Sequence, residues 1–146
     1  MISDAQHLIA HLQRGGAYGY WWTAEGKQSF WWKVDAMADP PADRKNVYFG
    51  VHPVVAIPET NRRGKHTDSR NIRSQIAAIG AMNCLFAEFD AKDFNGDKVT
   101  TLAAINALEP PPSAIVDSGG GYHCYWLLDQ PYPLETPESR KEAEKL

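Results

Sequence analysis

Apolar positions along the chain recur at two periods, one helical and one alternating, and the changes between them mark out its elements. Leu8, Ile9 and Leu12 fall at helical spacing, Ser3 followed by Gln6 forms a candidate capping box, and Gly15-Gly16 ends this first helix. The stretch "YWWTAEGKQSFWWKV" reads as a hairpin turning at Glu25-Gly26-Lys27. Each of its strands places one tryptophan on each face, so about two of Trp21, Trp22, Trp31 and Trp32 belong to a core, and base stacking is left to the outer ones. "MADPPADRKN" is a loop, "VYFGV" a short buried strand, and "IPETNRRGKHTDSR" an open loop. Asp68 or Ser69 is placed to cap a helix with Ile72, Ile76 and Ile79 on one stripe, and that helix feeds the apolar strand containing "LFAEFD". After an Asn95-Gly96 loop, Thr100 or Thr101 starts a helix with Leu102, Ile105 and Leu108 inward, which Pro110-Pro111-Pro112 terminates. "SAIVDSGGGYHCYWLLD" reads as strand, glycine turn, strand, and Thr136 caps a polar helix in the tail. The fold class is α+β: a mixed or antiparallel sheet with flanking helices, preceded by a small αβ module over residues 1–60, with the chemistry in residues 61–146.

The polar residues that interrupt this pattern are the informative ones. In "LFAEFDAKDF", Glu88 and Asp90 stand at alternate positions of the strand, share a face with Phe86, and end what reads as a buried segment. Their Cα atoms lie roughly 6.5 to 7 Å apart in an extended strand, close enough for both side chains to reach one hard cation. Left unbridged they repel, and one tends to take up a proton. Salt bridges to nearby Lys or Arg, or plain solvation, are the other outcome, and Asp93 reads as a solvated surface residue. The second stretch is "DSGGGYHCYW". Gly119, Gly120 and Gly121 let backbone amides approach an anion, Ser118 adds a hydroxyl, and His123 sits one pleat further on, within reach of a phosphate oxygen. A hairpin turn rich in glycine for backbone reasons, followed by a histidine satisfied by a backbone carbonyl, would read the same way.

Composition narrows the picture in three respects. With 43% hydrophobic and 23% charged residues the chain is an ordinary globular one, and no apolar run approaches the roughly 20 residues of a membrane span. No secretory pattern is visible at the N-terminus, so the expected compartment is the cytoplasm. A net charge of −3 means that any nucleic-acid surface is local, and the local basic patch is the loop with Arg62, Arg63, Lys65 and Arg70. Cys84 and Cys124 are widely spaced in apolar strands and read as buried free thiols.

Taken together, these residues resemble the archaeo-eukaryotic primase superfamily, in particular the primase-polymerase domains of plasmid and phage replication proteins. The resemblance runs from "NVYFGV" through "GYHCYWLL": an acidic pair at alternate positions ends a hydrophobic strand, as Glu88 and Asp90 do, and a serine, glycine, aromatic and histidine motif follows, as in "SGGGYH". It implies template-directed nucleotidyl transfer, a DNA primase or polymerase, on a core like that of the RNA-recognition motif. It further implies Mg2+ or Mn2+ held by Glu88 and Asp90, and the nucleoside triphosphate gripped by Ser118, Gly119, Gly120, Gly121 and His123. A single-stranded DNA template and a fused or recruited helicase are the implied partners. The family uses a third carboxylate well downstream of the histidine, whereas only Asp129, Glu135, Glu138, Glu142 and Glu144 follow His123 here. The expectation is therefore an N-terminal portion of such a domain, whose sheet ends on the "YHCYWLL" strand as an unpaired edge. Two other classes stay open: a nucleic-acid- or nucleotide-binding module without catalysis, and a rolling-circle or relaxase-type nuclease. The nuclease needs a histidine pair where "YHCYW" offers one.

Overall fold

A computed structural model of the chain describes residues 4–146; the capping box expected at Ser3 lies outside the described residues. The molecule is α+β, with three helices and two three-stranded sheets among the described residues. The chain forms two compact units, residues 1–83 together with 130–146, and residues 84–129.

In the first unit, α1 (Asp4–Leu12) buries Ile9 and Leu12, and β1 (Tyr18–Thr23), β2 (Gln28–Lys33) and β3 (Val47–Phe49) form an antiparallel sheet in the order β2-β1-β3. The register sets Gly19 across from Trp32 and Trp21 across from both Phe30 and Phe49. Trp21 and Trp32, with ring centroids 4.9 Å apart, pack with Ile9 as the core of this unit. Trp22 and Trp31 lie on the other face, the division that alternation predicts. Gly19 makes this packing possible, because a Cβ there would sit 2.5 Å from the Trp32 indole.

That second face is covered by residues 69–75, and here the expected helix does not form. Two 3₁₀ turns, Ser69–Asn71 and Ile76–Ala78, stand in its place, with extended backbone at Ile72 and Gln75. Ile72 is buried while Ile76 is 72% exposed, so the isoleucines share no stripe. The physical reason is competition for polar partners. The Ser69 carbonyl accepts from the Trp31 indole N–H (2.9 Å), the Tyr20 hydroxyl meets Ser74 Oγ (2.9 Å), and the Asp68 carboxylate caps only the first turn by accepting from the Arg70 N–H.

The second sheet contains β4 (Ala81–Asp90), β5 (Ala114–Asp117) and β6 (Gly121–Pro133) in the order β4-β6-β5, and β4 and β6 each contribute residues to both units. The "YHCYWLL" strand is thus the central one, flanked on both sides, and not the edge that the sequence led us to expect: the glycine turn folds β5 back along one side of β6 while β4 takes the other. Burial along β4 is confined to Met82, Asn83 and Cys84; Leu85 and Phe86 are exposed, so the acidic pair ends an open strand. Helix α2 (Lys98–Asn106) is capped by Asp97, which accepts from the Val99 N–H and the Thr100 hydroxyl, rather than by Thr100 or Thr101, and it buries Thr101 and Ile105. Helix α3 (Pro137–Ala143) starts in the expected Thr136 cap, closed as a box with Ser139. No helix among the described residues is long and apolar enough to cross a membrane.

The C-terminal end of α1 is satisfied by a fully buried side chain on β4. Asn83 Nδ2 donates to the carbonyls of Leu12 (2.9 Å) and Arg14 (2.8 Å), two acceptors that the helix itself leaves open. Asn83→Ala removes both donors from a site without room for bulk water, and is expected to lower the unfolding free energy by about 1–3 kcal/mol in a urea titration. A midpoint equal to the parent's would show that these bonds contribute nothing net.

Candidate functional site

The face of β4 that carries Phe86 and Glu88 meets β6 side by side. The Phe86 and Tyr125 rings stack with centroids 6.4 Å apart, and His123 Nε2 lies 3.6 Å from Glu88 Oε1. One pleat on, Gly121 abuts the backbone of Phe89 and Asp90, so the two strands run antiparallel and the two motifs occupy one surface. His123 is therefore not a core histidine bonded to a carbonyl. Its recorded partner is the Glu88 carboxylate, at ion-pair rather than hydrogen-bond distance. Both side chains are open to solvent, His123 at 32% and Glu88 at 68%.

The glycine turn is a two-residue hairpin loop. Ser118 N–H donates to the Gly121 carbonyl (3.0 Å), and Gly119 takes φ +91° at the first central position, the left-handed geometry such a loop demands. Gly121 is fixed by contact instead, since a Cβ there would overlap the Phe89 carbonyl oxygen and lie 2.9 Å from Asp90 Cα. Gly120 is under neither constraint, with open space where a Cβ would stand, and its carbonyl accepts from the Ala91 N–H (3.0 Å). The turn is thereby stitched to the end of the acidic strand. The same bonding reduces its capacity as an anion cradle. Ser118 N–H is committed within the turn, and Gly119 N–H donates to Asp117 Oδ1 (2.8 Å).

Asp90 caps the 3₁₀ turn Ala91–Phe94. It accepts from the Lys92 N–H (3.0 Å) and pairs with the Lys92 ammonium (3.0 Å), which together hold its carboxyl below the usual range. Asp93 is exposed in the same turn, as expected. Lys92, Lys98 and Asp117 are the residues that motif reasoning missed. Lys98 Nζ lies 2.5 Å from Asp117 Oδ1 and 4.9 Å over the Tyr122 ring, and its hydrogen bond is the main cause of the lowered Asp117 carboxyl. Asp117 pairs with Tyr122, and so stands on the sheet face opposite His123. The signal was present in "DSGGG", because an aspartate just before a glycine turn is placed to accept from the backbone two residues on.

The carboxylates fit a hard divalent cation in kind but not in number. Among the described residues no three His, Cys, Asp or Glu side chains group so as to hold a metal, and Asp90 already carries Lys92. Cys84 and Cys124 are buried free thiols, and burial pushes the Cys84 thiol up to about 11, which leaves it inert as a ligand or nucleophile.

The basic loop belongs to the other compact unit. Asn61 Oδ1 organises it by accepting from the N–H groups of Arg63 (2.9 Å) and Lys65 (3.1 Å). Arg62, Arg63 and Lys65 are exposed, whereas Arg70 is engaged by Asp68 (2.7 Å), whose carboxyl that arginine lowers to about 2.

Two measurements follow from this geometry. Gly121→Ala is expected to loosen the join between turn and strand, seen as a lower melting temperature and faster hydrogen exchange at the Ala91 amide, while Gly120→Ala changes neither. Equal behaviour of the two variants would remove the steric argument. The second concerns acid. Asp90, Asp97 and Asp117 all have carboxyls depressed in the folded state, so on acidification the unfolded chain takes up protons first. The stability they contribute is complete above the ordinary carboxylate range near pH 4 and is lost as pH falls through the depressed values. Asp117→Asn should flatten the acid limb of a melting-temperature profile; an unchanged limb would mean that Lys98 contributes no folded-state bias.

No protein-family model matches the chain, and neither a curated protein nor a solved structure matches it.

Proposed function

We propose that residues 84–129 carry the nucleotide-handling site of a DNA primase-polymerase, a template-directed nucleotidyltransferase built on an RNA-recognition-motif-like core of the archaeo-eukaryotic primase type. The observation that supports this reading is the glycine turn bonded through Gly120 and Ala91 to the end of the acidic strand, with His123 3.6 Å from Glu88 on the same face. Motifs 30 residues apart meet on one solvent-open surface. That is the arrangement in which a triphosphate held by Ser118 and His123 would present its phosphates to Glu88 and Asp90.

On this reading Glu88 and Asp90 are the residues that would hold Mg2+ or Mn2+, and a bound cation would supply polarisation of the reacting phosphoryl group and of the attacking 3′-hydroxyl. Lys92 holds Asp90 ionised and in place beforehand, and must be displaced from it. Glu88 stands beside the His123 imidazole on this face, and a ring N–H of His123 would donate to a phosphate oxygen. The Ser118 hydroxyl adds a donor at the turn. Nucleoside triphosphates and a single-stranded template are the corresponding partners, with a helicase fused or recruited. A second reading, a module that binds nucleotide without catalysis, is favoured by one observation: the Asp90–Lys92 pair already neutralises half of the acidic pair.

Titration calorimetry with Mn2+ tests the first step. Weak binding is expected, lost in Glu88→Gln and in Asp90→Asn and tightened in Lys92→Met, where the competing ammonium is gone; binding indifferent to all three would refute the assignment. His123→Ala should weaken triphosphate binding with little change in melting temperature. Primer extension with Mn2+ then separates the two readings. Extension abolished by Asp90→Asn supports the transferase, and triphosphate binding without extension supports the binding module.

A further inference from the structure

The compact unit of residues 1–83 and 130–146 holds a second cluster of chemistry that the proposed transfer site does not use. On the face of the N-terminal sheet opposite the Trp21 and Trp32 core lies a groove of about 420 Å³, walled by Trp22 and by Lys27, Arg62, Asn71 and Arg73. Its lining includes three cations and no carboxylate, in a chain whose net charge is −3. None of the three forms an ion pair among the described residues, whereas nearby Arg70 does. The Arg73 guanidinium lies 4.5 Å over the Trp22 ring, and Trp22 meets the Tyr48 ring at 5.7 Å. Tyr48 is 48% exposed and Arg73 is exposed, so planar groups are presented to solvent beside unpaired positive charge.

We propose that this groove binds single-stranded nucleic acid, with flanking phosphates on Lys27 and Arg62 and an unstacked base on the Arg73 guanidinium, which lies over Trp22, next to the exposed Tyr48 ring at the groove's side. Each element of the lining fits that occupant. A stacking platform set among cations is how sequence-tolerant single-strand binding is built, because every base offers a π-face and every nucleotide a phosphate. A groove of this volume takes a base or a mononucleotide, at the small end of ordinary ligand sites. Duplex DNA keeps its bases stacked on each other and cannot use the aromatic surface, and an acidic peptide would meet the cations but leave the rings unfilled. The flanking loop carries Arg63 and Lys65, both exposed, which extends the positive track beyond the groove itself. The proposal deepens the single-stranded partner of the transferase reading, yet its observations are independent of that reading, since none of its residues belongs to residues 84–129.

The test is fluorescence anisotropy of a labelled oligothymidylate with the full chain over a range of salt. Binding is expected to weaken with salt by about 0.7 in log-log slope for each phosphate contacted. Lys27→Gln should lower that slope by one such step. Tyr48→Ala, at an exposed position, should weaken binding about tenfold while leaving the slope unchanged, because stacking carries no counterion release. Glu88→Gln and Asp90→Asn should bind like the parent, so a failed transferase reading leaves this one intact. Displacement of the oligonucleotide by polyglutamate or by duplex DNA at equal charge concentration would overturn the proposal in favour of a general anion surface. Undetectable binding at low salt, or indifference to both Lys27→Gln and Tyr48→Ala, would also overturn it.

Discussion

The site depends on a missing side chain. Gly121 lets the start of β6 lie against the Phe89–Asp90 backbone, and with that contact in place the Ala91 N–H reaches the Gly120 carbonyl. Any Cβ at Gly121 would push the turn away from the acidic strand, because the opposing atoms are backbone and cannot rotate aside. From this one approach the rest of the surface follows by strand geometry. Antiparallel pairing carries His123 to Glu88 and Tyr125 to Phe86, and alternation puts Asp117 and Tyr122 on the reverse face. Gly119 answers a different demand, a positive φ at the hairpin, and Gly120 answers neither. Two of the three glycines are thus required, each for its own reason, and the third is not.

Much of this was legible in the sequence, for a reason that lies in periodicity. Alternation along "FAEFD" and "GYHCYWL" fixes which residues share a face, and a strand has no freedom to rearrange them. The same rule put one tryptophan of each hairpin strand on each face, and the structure makes Trp21 and Trp32 the core pair. What failed were inferences about neighbours. Isoleucines at helical spacing suggested a helix after Asp68, but the segment gives its carbonyl and hydroxyl groups to Trp31 and Tyr20, and a tertiary demand of that kind leaves no periodic trace. The place of β6 in the middle of its sheet was likewise invisible, since strand order is set by which edges find partners rather than by any one strand's pattern. The acidic segment looked buried because Leu85, Phe86 and Phe89 are apolar, although Leu85 and Phe86 are exposed.

The carboxylates Glu88, Asp90 and Asp117 already have partners within the chain, and this shapes what a ligand must do. Asp90 holds the Lys92 amide and ammonium, Glu88 stands by His123, and on the reverse face Asp117 holds the Gly119 amide and Lys98. All of these pairs are solvent-exposed, where ion pairs contribute little net free energy and exchange readily. The lysine partners keep Asp90 and Asp117 ionised and positioned without holding them firmly. An incoming cation or phosphate would replace one partner with another, at small net cost, instead of having to order a loose site.

The two compact units divide their chemistry by sign. Carboxylates paired with single lysines line the surface of residues 84–129, while the groove over the N-terminal sheet gathers Lys27, Arg62 and Arg73 around an aromatic wall with no carboxylate among its lining residues. A net charge of −3 hides this division, because the opposing contributions largely cancel in the sum. Chemically the two surfaces ask for different parts of one kind of molecule. Cations and rings suit the phosphates and unstacked bases of a strand, and carboxylates that can exchange lysine for a divalent cation suit the triphosphate of a nucleotide. On the proposed reading, one class of molecule would account for the acidic pair, the histidine beside it and the basic aromatic groove, where otherwise two unrelated ligands would be needed.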